Sequence, residues 1–348
     1  MNRFFSHFID NAIEFTIGRY KHWYTPTQFV SMDPETLKWE NQPPEEFFAI
    51  PADPPEIKFD PSFTFHQNRQ RAYFTFQSAY HSPHPVNNAV WGLSDQRTGQ
   101  EKSRGALVLV HGYMMQSFAP LRLFAEPLAR QGIDIYYLAL PYHMKRAPLG
   151  TWSGQFGLSS NVGRSINAFR QGVMDVRSLV RWIQQEKNQP VILAGLSLGA
   201  FTCCMASVVD ERPAGLISLL GGADLSDIVF AGNSFYLIRQ GLRKNGVNAA
   251  DLKRYWAGIS PGNFRSRLTP EDIMMVAGLH DPIITPRNAT QLWRAWGEPD
   301  ITWLPCGHAS LSFYANRVGR LVHEFVNQQL DKSENMVSAG MVKAVPTQ

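Results

Sequence analysis

The sequence predicts an α/β fold, with a mostly parallel central sheet and helices on both of its faces. Three observations carry this expectation. Short continuous apolar runs recur from residue 106 onward, helical stretches with one apolar stripe separate them, and the two kinds of segment alternate instead of clustering. Apolar runs with little polar alternation suit parallel strands that are covered on both sides. A chain of 348 residues, 44% of them hydrophobic, can bury the large core that such a sheet needs.

The elements follow in chain order. Residues 1–65 read as an N-terminal extension. It opens on an amphipathic helical stretch (Phe4, Phe5, Phe8, Ile9, Ile13, Phe15) and becomes proline-rich in NQPPEEFFAIPADPPEIKFDP, where prolines break helix and favour extended chain. One reading is an arm packed over the main domain. The other is a membrane-surface or oligomerisation helix, although Asp10 and Glu14 argue against an anionic lipid surface.

The main domain is expected over 66–332. RAYFTFQ (71–77) and NAVWGLS (88–94) alternate like half-exposed antiparallel strands. The buried runs are ALVLV (106–110), IDIYYLAL (133–140), VILAG (191–195), AGLISLL (214–220), IMMVAG (273–278) and ITWLP (301–305). Between 165 and 185, Ile166, Phe169, Val173, Val176, Val180 and Ile183 share one stripe at three- and four-residue intervals. Residues 226–270 break the alternation. They read as a helical, aromatic-rich insertion (Phe230, Phe235, Tyr236, Tyr255, Trp256, Phe264) that caps the C-terminal edge of the sheet, where open α/β sheets hold their ligands; the alternative is an ordinary pair of packing helices. Residues 333–348 read as a frayed tail.

Composition narrows the function classes. A net charge of +4, scattered along the chain, lacks the concentrated basic face of a nucleic-acid binder. Three cysteines, two of them adjacent (Cys203, Cys204) and one alone (Cys306), make no disulfide framework and no metal-ligand spacing, so no metal is expected. The start of the chain lacks the apolar core and cleavage site of a signal peptide, and no apolar run reaches the eighteen residues of a membrane span. A cytoplasmic protein acting on a small molecule is the expectation, with peripheral membrane contact and oligomerisation through the extension left open.

The chemistry centres on VILAGLSLGAF. Gly195-Leu196-Ser197-Leu198-Gly199 places a serine directly after a buried run and directly before a helical one. Such a pentapeptide alone turns up in roughly one random chain in ten of this length, so its position carries the weight. A sharp strand-to-helix turn lifts the hydroxyl off the sheet, flanking glycines relieve the crowding, and the helix N-terminus adds positive potential where an oxyanion would form. A serine needs a base, and the base an orienting acid. Asp281 follows IMMVAG and His308 follows ITWLP, each a few residues past a later strand and so on the same edge as Ser197. Asp224, in LLGGADL after the preceding strand, is the rival acid, and His111 the rival base. The two oxyanion donors are expected from the amides of Leu198 and Tyr113, with the Met114 amide as the alternate.

Taken together, LVLVHGY, GLSLGA, AGLHDPIITP and PCGHASLSF resemble the α/β-hydrolase superfamily over about residues 70–330. The serine at 197 sets the chain apart from relatives with an aspartate nucleophile. LPYHMKRAP, through Pro141, Tyr142, Arg146 and Pro148, resembles a segment of the branch containing α/β-hydrolase domain-containing protein eighteen, although His111-Gly112 departs from that branch. The resemblance implies a cofactor-free hydrolase that acts on esters, lipid esters among them. As a loop after a strand on the active edge, PYHMKRAPLGTWSGQF is expected to bring Arg146, His143 and Trp152 near the substrate, with Arg146 holding a carboxylate or phosphate; the alternative for Arg146 is a tie to an Asp or to carbonyls. Ester hydrolysis of an apolar acyl or aryl group is the expected reaction. Thioester hydrolysis, acyl transfer and C–C bond hydrolysis share the triad, and a noncatalytic binding protein of the same fold is the rival from another class.

Overall fold

The computed structural model describes Glu40 and residues 42–60, 63–66, 68–99, 102–230 and 234–338. The amphipathic stretch expected over residues 4–15 lies outside them.

Among the described residues ten strands form one sheet: β1 (Lys58–Phe59), β2 (Phe63–His66), β3 (Arg69–Gln77), β4 (Ala89–Arg97), β5 (Ala106–Val110), β6 (Asp134–Leu138), β7 (Val191–Leu196), β8 (Gly215–Leu219), β9 (Ile273–Gly278) and β10 (Asp300–Leu304). Their spatial order is β1-β3-β4-β6-β5-β7-β8-β9-β10, with β2 paired to β3 off this path. From β6 to β10 every neighbouring pair is parallel, whereas β3 with β4 and β4 with β6 are antiparallel.

The apolar runs form parallel strands because both of their faces are covered. Alternate residues of β5 enter opposite cores: Ala106, Val108 and Val110 on one side, Leu107 and Leu109 on the other. Helices α1 (Ala119–Arg130) and α8 (Ala315–Ser338) cover the second side with Leu121, Phe124, Leu128, Val318, Val322 and Val326. The first side is covered by α2 (Val162–Lys187) and α3 (Leu198–Val209). All six stripe residues of α2 are buried there. Asn161 caps its N-terminus by accepting the Arg164 amide, and Asn188, in the left-handed conformation at φ 51°, ends it.

Three regions differ from the expectation. The β3–β4 pair is more buried than half-exposed strands would be, because its outer face carries Tyr73 stacked on Trp91 at 5.1 Å under the Lys145 ammonium. Of the described residues in 226–270, only Ile228, Ser234 and Phe235 line the cavity beyond the strand ends. Helices α4 (Leu225–Phe230), α5 (Tyr236–Lys244) and α6 (Ala249–Tyr255) belong to this stretch, and Trp256 beyond them is fully buried in the main core. Finally, beyond α7 (Pro286–Ala295) and β10, α8 runs to Ser338, past the expected start of the tail. In the proline-rich arm, Phe47 and Phe48 are buried against α2, where Arg170 and Arg177 donate to their carbonyls.

The chain leaves β5 for β6 on one side of it and then crosses to β7 on the other. This reversal opens a crevice beyond the carboxyl ends of β5 and β7, the place where open α/β sheets hold ligands.

Candidate active site

Ser197 stands on that crevice, between the end of β7 and the start of α3, with φ 53° and ψ −116°. A non-glycine residue in this region is strained by about 1–3 kcal/mol and persists only where its surroundings hold it. Here the Ser197 amide donates to the Leu219 carbonyl of β8 at 2.8 Å, and its carbonyl accepts the Phe201 amide to begin α3. The two glycines have a direct steric reason. A Cβ on Gly195 would lie 2.2 Å from the Gly199 carbonyl oxygen, and one on Gly199 would lie 2.2 Å from the Val110 carbonyl oxygen. Helix α3 can therefore start directly above β5 and β7 only without those methyl groups.

The loops after β9 and β10 meet beside the serine. Leu279 donates to the Leu304 carbonyl at 2.8 Å and His280 to the Cys306 carbonyl at 2.9 Å, which continues the strand pairing past the strand ends. This brings Asp281 and His308 together. His308 Nδ1 lies 2.8 Å from Asp281 Oδ2, and His308 Nε2 lies 2.9 Å from Ser197 Oγ. Asp281 Oδ1 accepts the amides of Ile283 and Ile284 at 2.8 and 2.9 Å, so the carboxylate is fixed from behind. The Asp281 side chain is fully buried while that of His308 keeps 19% exposure, which suits an orienting acid and a base that meets substrate. Since Asp281 can only accept, Nδ1 carries the ring proton and Nε2 is the acceptor for the serine hydroxyl.

The rivals are engaged elsewhere. Asp224 caps α4 by accepting the Ser226 amide and hydroxyl, and pairs with Lys253. His111 is completely buried, donates from Nδ1 to the Gly112 carbonyl and accepts the Leu140 amide at Nε2; burial pushes its pKa down to about 4. It is a neutral structural histidine.

Arg146 and His143 do not reach the crevice. Arg146 is wholly buried and pairs with Asp175 of α2 at 2.8 Å while donating to the carbonyls of Ala139 and Asn87, which is the alternative set out for it above. Its guanidinium has no face left for a substrate anion. His143 is equally buried. It donates to the Pro141 carbonyl and accepts the Met114 amide at 3.3 Å, an interaction that removes Met114 as an oxyanion donor. Burial also holds its pKa well below the usual histidine value. Trp152 packs edge-on to Tyr113, with ring centroids 6.0 Å apart, and so stands behind the crevice wall. Leu198 opens the first turn of α3, where amides have no acceptor within the helix, and Tyr113 lies on the facing loop; both line the crevice with Ser197.

The crevice widens into a cavity of about 480 Å³. Its wall is apolar: Met115, Leu123, Phe124, Leu158, Ile228, Phe235, Ile283 and Leu311 among others, with Tyr113, Ser197, Ser234, Ser312 and His308 as the polar side chains. Most of these residues carry no local signal of a site. Leu123 and Phe124 are neighbours on a helix, and the packing of α1 against α8 sets which of its residues border the crevice. Phe235 alone of the aromatics in 226–270 lies on this wall, 5.7 Å from Tyr113.

Similarity to known proteins follows the same outline. The acetyl xylan esterase of Paenibacillus sp. R4 superimposes with a TM-score of 0.62 at 14% identity, over 88% of this chain and 98% of that one. Acetyl xylan esterase 1 of Thermoanaerobacterium gives 0.63 at 16% identity, over 88% and 96%. The chain has the α/β-hydrolase fold. Within it, residues 93–233 match the family described as "Alpha/beta hydrolase domain containing 18", a span that includes both the serine turn and LPYHMKRAP. The uncharacterised protein Rv2627c of Mycobacterium tuberculosis is 29% identical over 312 residues, 83% of this α/β-hydrolase-fold chain and 70% of that protein. Among the described residues no helix is long and apolar enough to cross a membrane.

Proposed function

We propose that this chain is a serine hydrolase that cleaves carboxylic esters with a neutral, apolar acyl or aryl group. The observation that carries the reading is the hydrogen-bonded line Ser197 Oγ–His308 Nε2 and His308 Nδ1–Asp281 Oδ2, opening onto a cavity whose wall holds no ionisable side chain except His308 and Tyr113. In the first step Ser197 Oγ bonds to the ester carbonyl carbon as its proton passes to His308 Nε2. Asp281 stabilises the imidazolium, and the amides of Leu198 and Tyr113 stabilise the oxyanion. Collapse expels the alcohol, which takes the proton from Nε2 and leaves an acyl-enzyme. Water then adds by the same proton shuttle, and the carboxylic acid departs.

The acyl preference rests on desolvation. An apolar acyl group gains on entering the cavity, whereas a carboxylate placed there would be stripped of water with no cation to meet it. A fluorophosphonate probe tests the chemistry: the wild type labels at Ser197 and Ser197→Ala does not. Absence of label on the wild type, with no turnover of any ester from acetate to octanoate, overturns the reading. A preference for succinyl over butyryl esters overturns its acyl-group part.

A further inference from the structure

We propose that His143 is a positioning residue for the oxyanion site, holding the loop after β5 in the shape that presents its amide to the reacting carbonyl. This rests on the serine-hydrolase reading and adds to it a residue that makes no contact with substrate. The segment 112–115, which faces Ser197, is tied to the turn 141–146 at two points. His143 Nε2 accepts the Met114 amide at 3.3 Å, and Ser153 Oγ accepts the Met144 amide while donating to the Met115 carbonyl at 2.6 Å. The His143 ring cannot turn away, because Nδ1 is committed to the Pro141 carbonyl at 2.8 Å and the ring packs edge-on to His111 and Tyr113.

Backbone conformation marks the same place. Met114, Tyr142 and Met144 take φ of 64°, 63° and 50°, three of the seven non-glycine residues with positive φ among those described. Strain of this kind is retained where surrounding contacts over-determine it and where a site uses the resulting geometry. The turn has a rigid support, for Arg146 binds Asp175 of α2 and the Asn87 and Ala139 carbonyls, and Asn87 Oδ1 accepts the Tyr142 amide. A continuous line of buried hydrogen bonds thus runs from α2 through the turn to the Met114 amide, one residue from the proposed Tyr113 donor. A neutral imidazole suits this role: it gives one donor and one acceptor on opposite edges of a rigid ring.

The test compares His143→Gln, His143→Asn and His143→Phe with the wild type. Gln can place an acceptor near the position of Nε2, Asn places one only near Nδ1, and Phe keeps the ring without either. Hydrolysis of p-nitrophenyl butyrate is followed for kcat and KM, together with the rate of fluorophosphonate labelling and the melting temperature. Removing an oxyanion donor outright costs roughly 10²–10³ in kcat. Misplacing one is expected to lower kcat about 10–100-fold in His143→Phe and His143→Asn, with KM within about twofold and labelling slowed in parallel. His143→Gln is expected to recover most of the loss. Unchanged kcat in His143→Asn, or no advantage of His143→Gln over His143→Asn at matched melting temperatures, overturns the inference. If His143→Phe does not fold, the Gln–Asn comparison still decides. A wild type that neither labels nor turns over ester defeats the hydrolase reading itself, whereas a wild type that labels alongside variants that label at its rate defeats only the role of His143.

Discussion

Replacing Asp281 by Asn changes one atom and is expected to remove nearly all activity with little change of shape. Asp281 Oδ1 accepts two backbone amides, from Ile283 and Ile284, and only an acceptor can satisfy them. In Asp281→Asn the amide oxygen therefore occupies that side, which puts the NH2 group where Oδ2 was, 2.8 Å from His308 Nδ1. An NH2 group donates, so Nδ1 must accept and the ring proton moves to Nε2. Nε2–H then faces Ser197 Oγ at 2.9 Å and cannot take its proton. A base in the wrong tautomer costs roughly 10⁴ in kcat, about 5 kcal/mol of transition-state stabilisation. Folding should suffer far less, by about 1–2 kcal/mol, because a charge-assisted hydrogen bond gives way to a neutral one with no buried group orphaned. The assay is kcat on p-nitrophenyl butyrate with a thermal melt, and Asp224→Asn is the control. That substitution removes an ion pair to the largely exposed Lys253, worth about 0–1 kcal/mol of stability, and should leave kcat within about twofold. A kcat for Asp281→Asn above about a tenth of wild type, or a larger loss in Asp224→Asn, would refute the assignment of the acid.

Gly199→Ala should lower the melting temperature and cut kcat at least tenfold, since its Cβ would lie 2.2 Å from the Val110 carbonyl oxygen; overpacking of this kind costs about 1–3 kcal/mol and here moves the serine turn as well. Arg146→Met should destabilise the fold by about 3–5 kcal/mol in urea titrations, because it strands the buried Asp175 carboxylate. Its KM for a neutral ester should stay near the wild-type value, since Arg146 does not line the cavity. Burial makes His111 bind its proton far less readily folded than unfolded, with pKa about 4 against the ordinary 6.5. Between those values the unfolded chain holds more protons, so the His111 contribution to stability falls as pH drops from 6.5 to 4, by about 3 kcal/mol in full. His111→Asn should flatten that slope of the unfolding free energy against pH, and an unchanged slope would assign it to other groups.

Much of the scaffold is legible in the chain because it depends on short-range periodicity. ALVLV and IMMVAG coincide with β5 and β9, and the α2 stripe is buried at every position named for it. Ser197, Asp281 and His308 could be singled out because each follows a buried run, and a parallel sheet delivers the ends of its strands to one edge. Arg146 and His143 could not be assigned in the same way. A loop after a strand does reach the active edge, but whether a side chain on it turns toward the crevice or back toward α2 depends on partners far away in sequence, Asp175 for Arg146 and Met114 for His143.

The order of residue types along the chain thus determined, by itself, the sheet, the strained turn at Ser197 and the edge at which any chemistry must occur, since hydrophobic period and glycine placement are local properties. Tertiary structure alone decided which acid faces which histidine, which cation is buried in an ion pair, and which helix faces wall the cavity. Those outcomes turn on distances of a few ångströms between residues 27 to 111 positions apart, where a hydrogen bond either forms or does not and no local pattern records the choice.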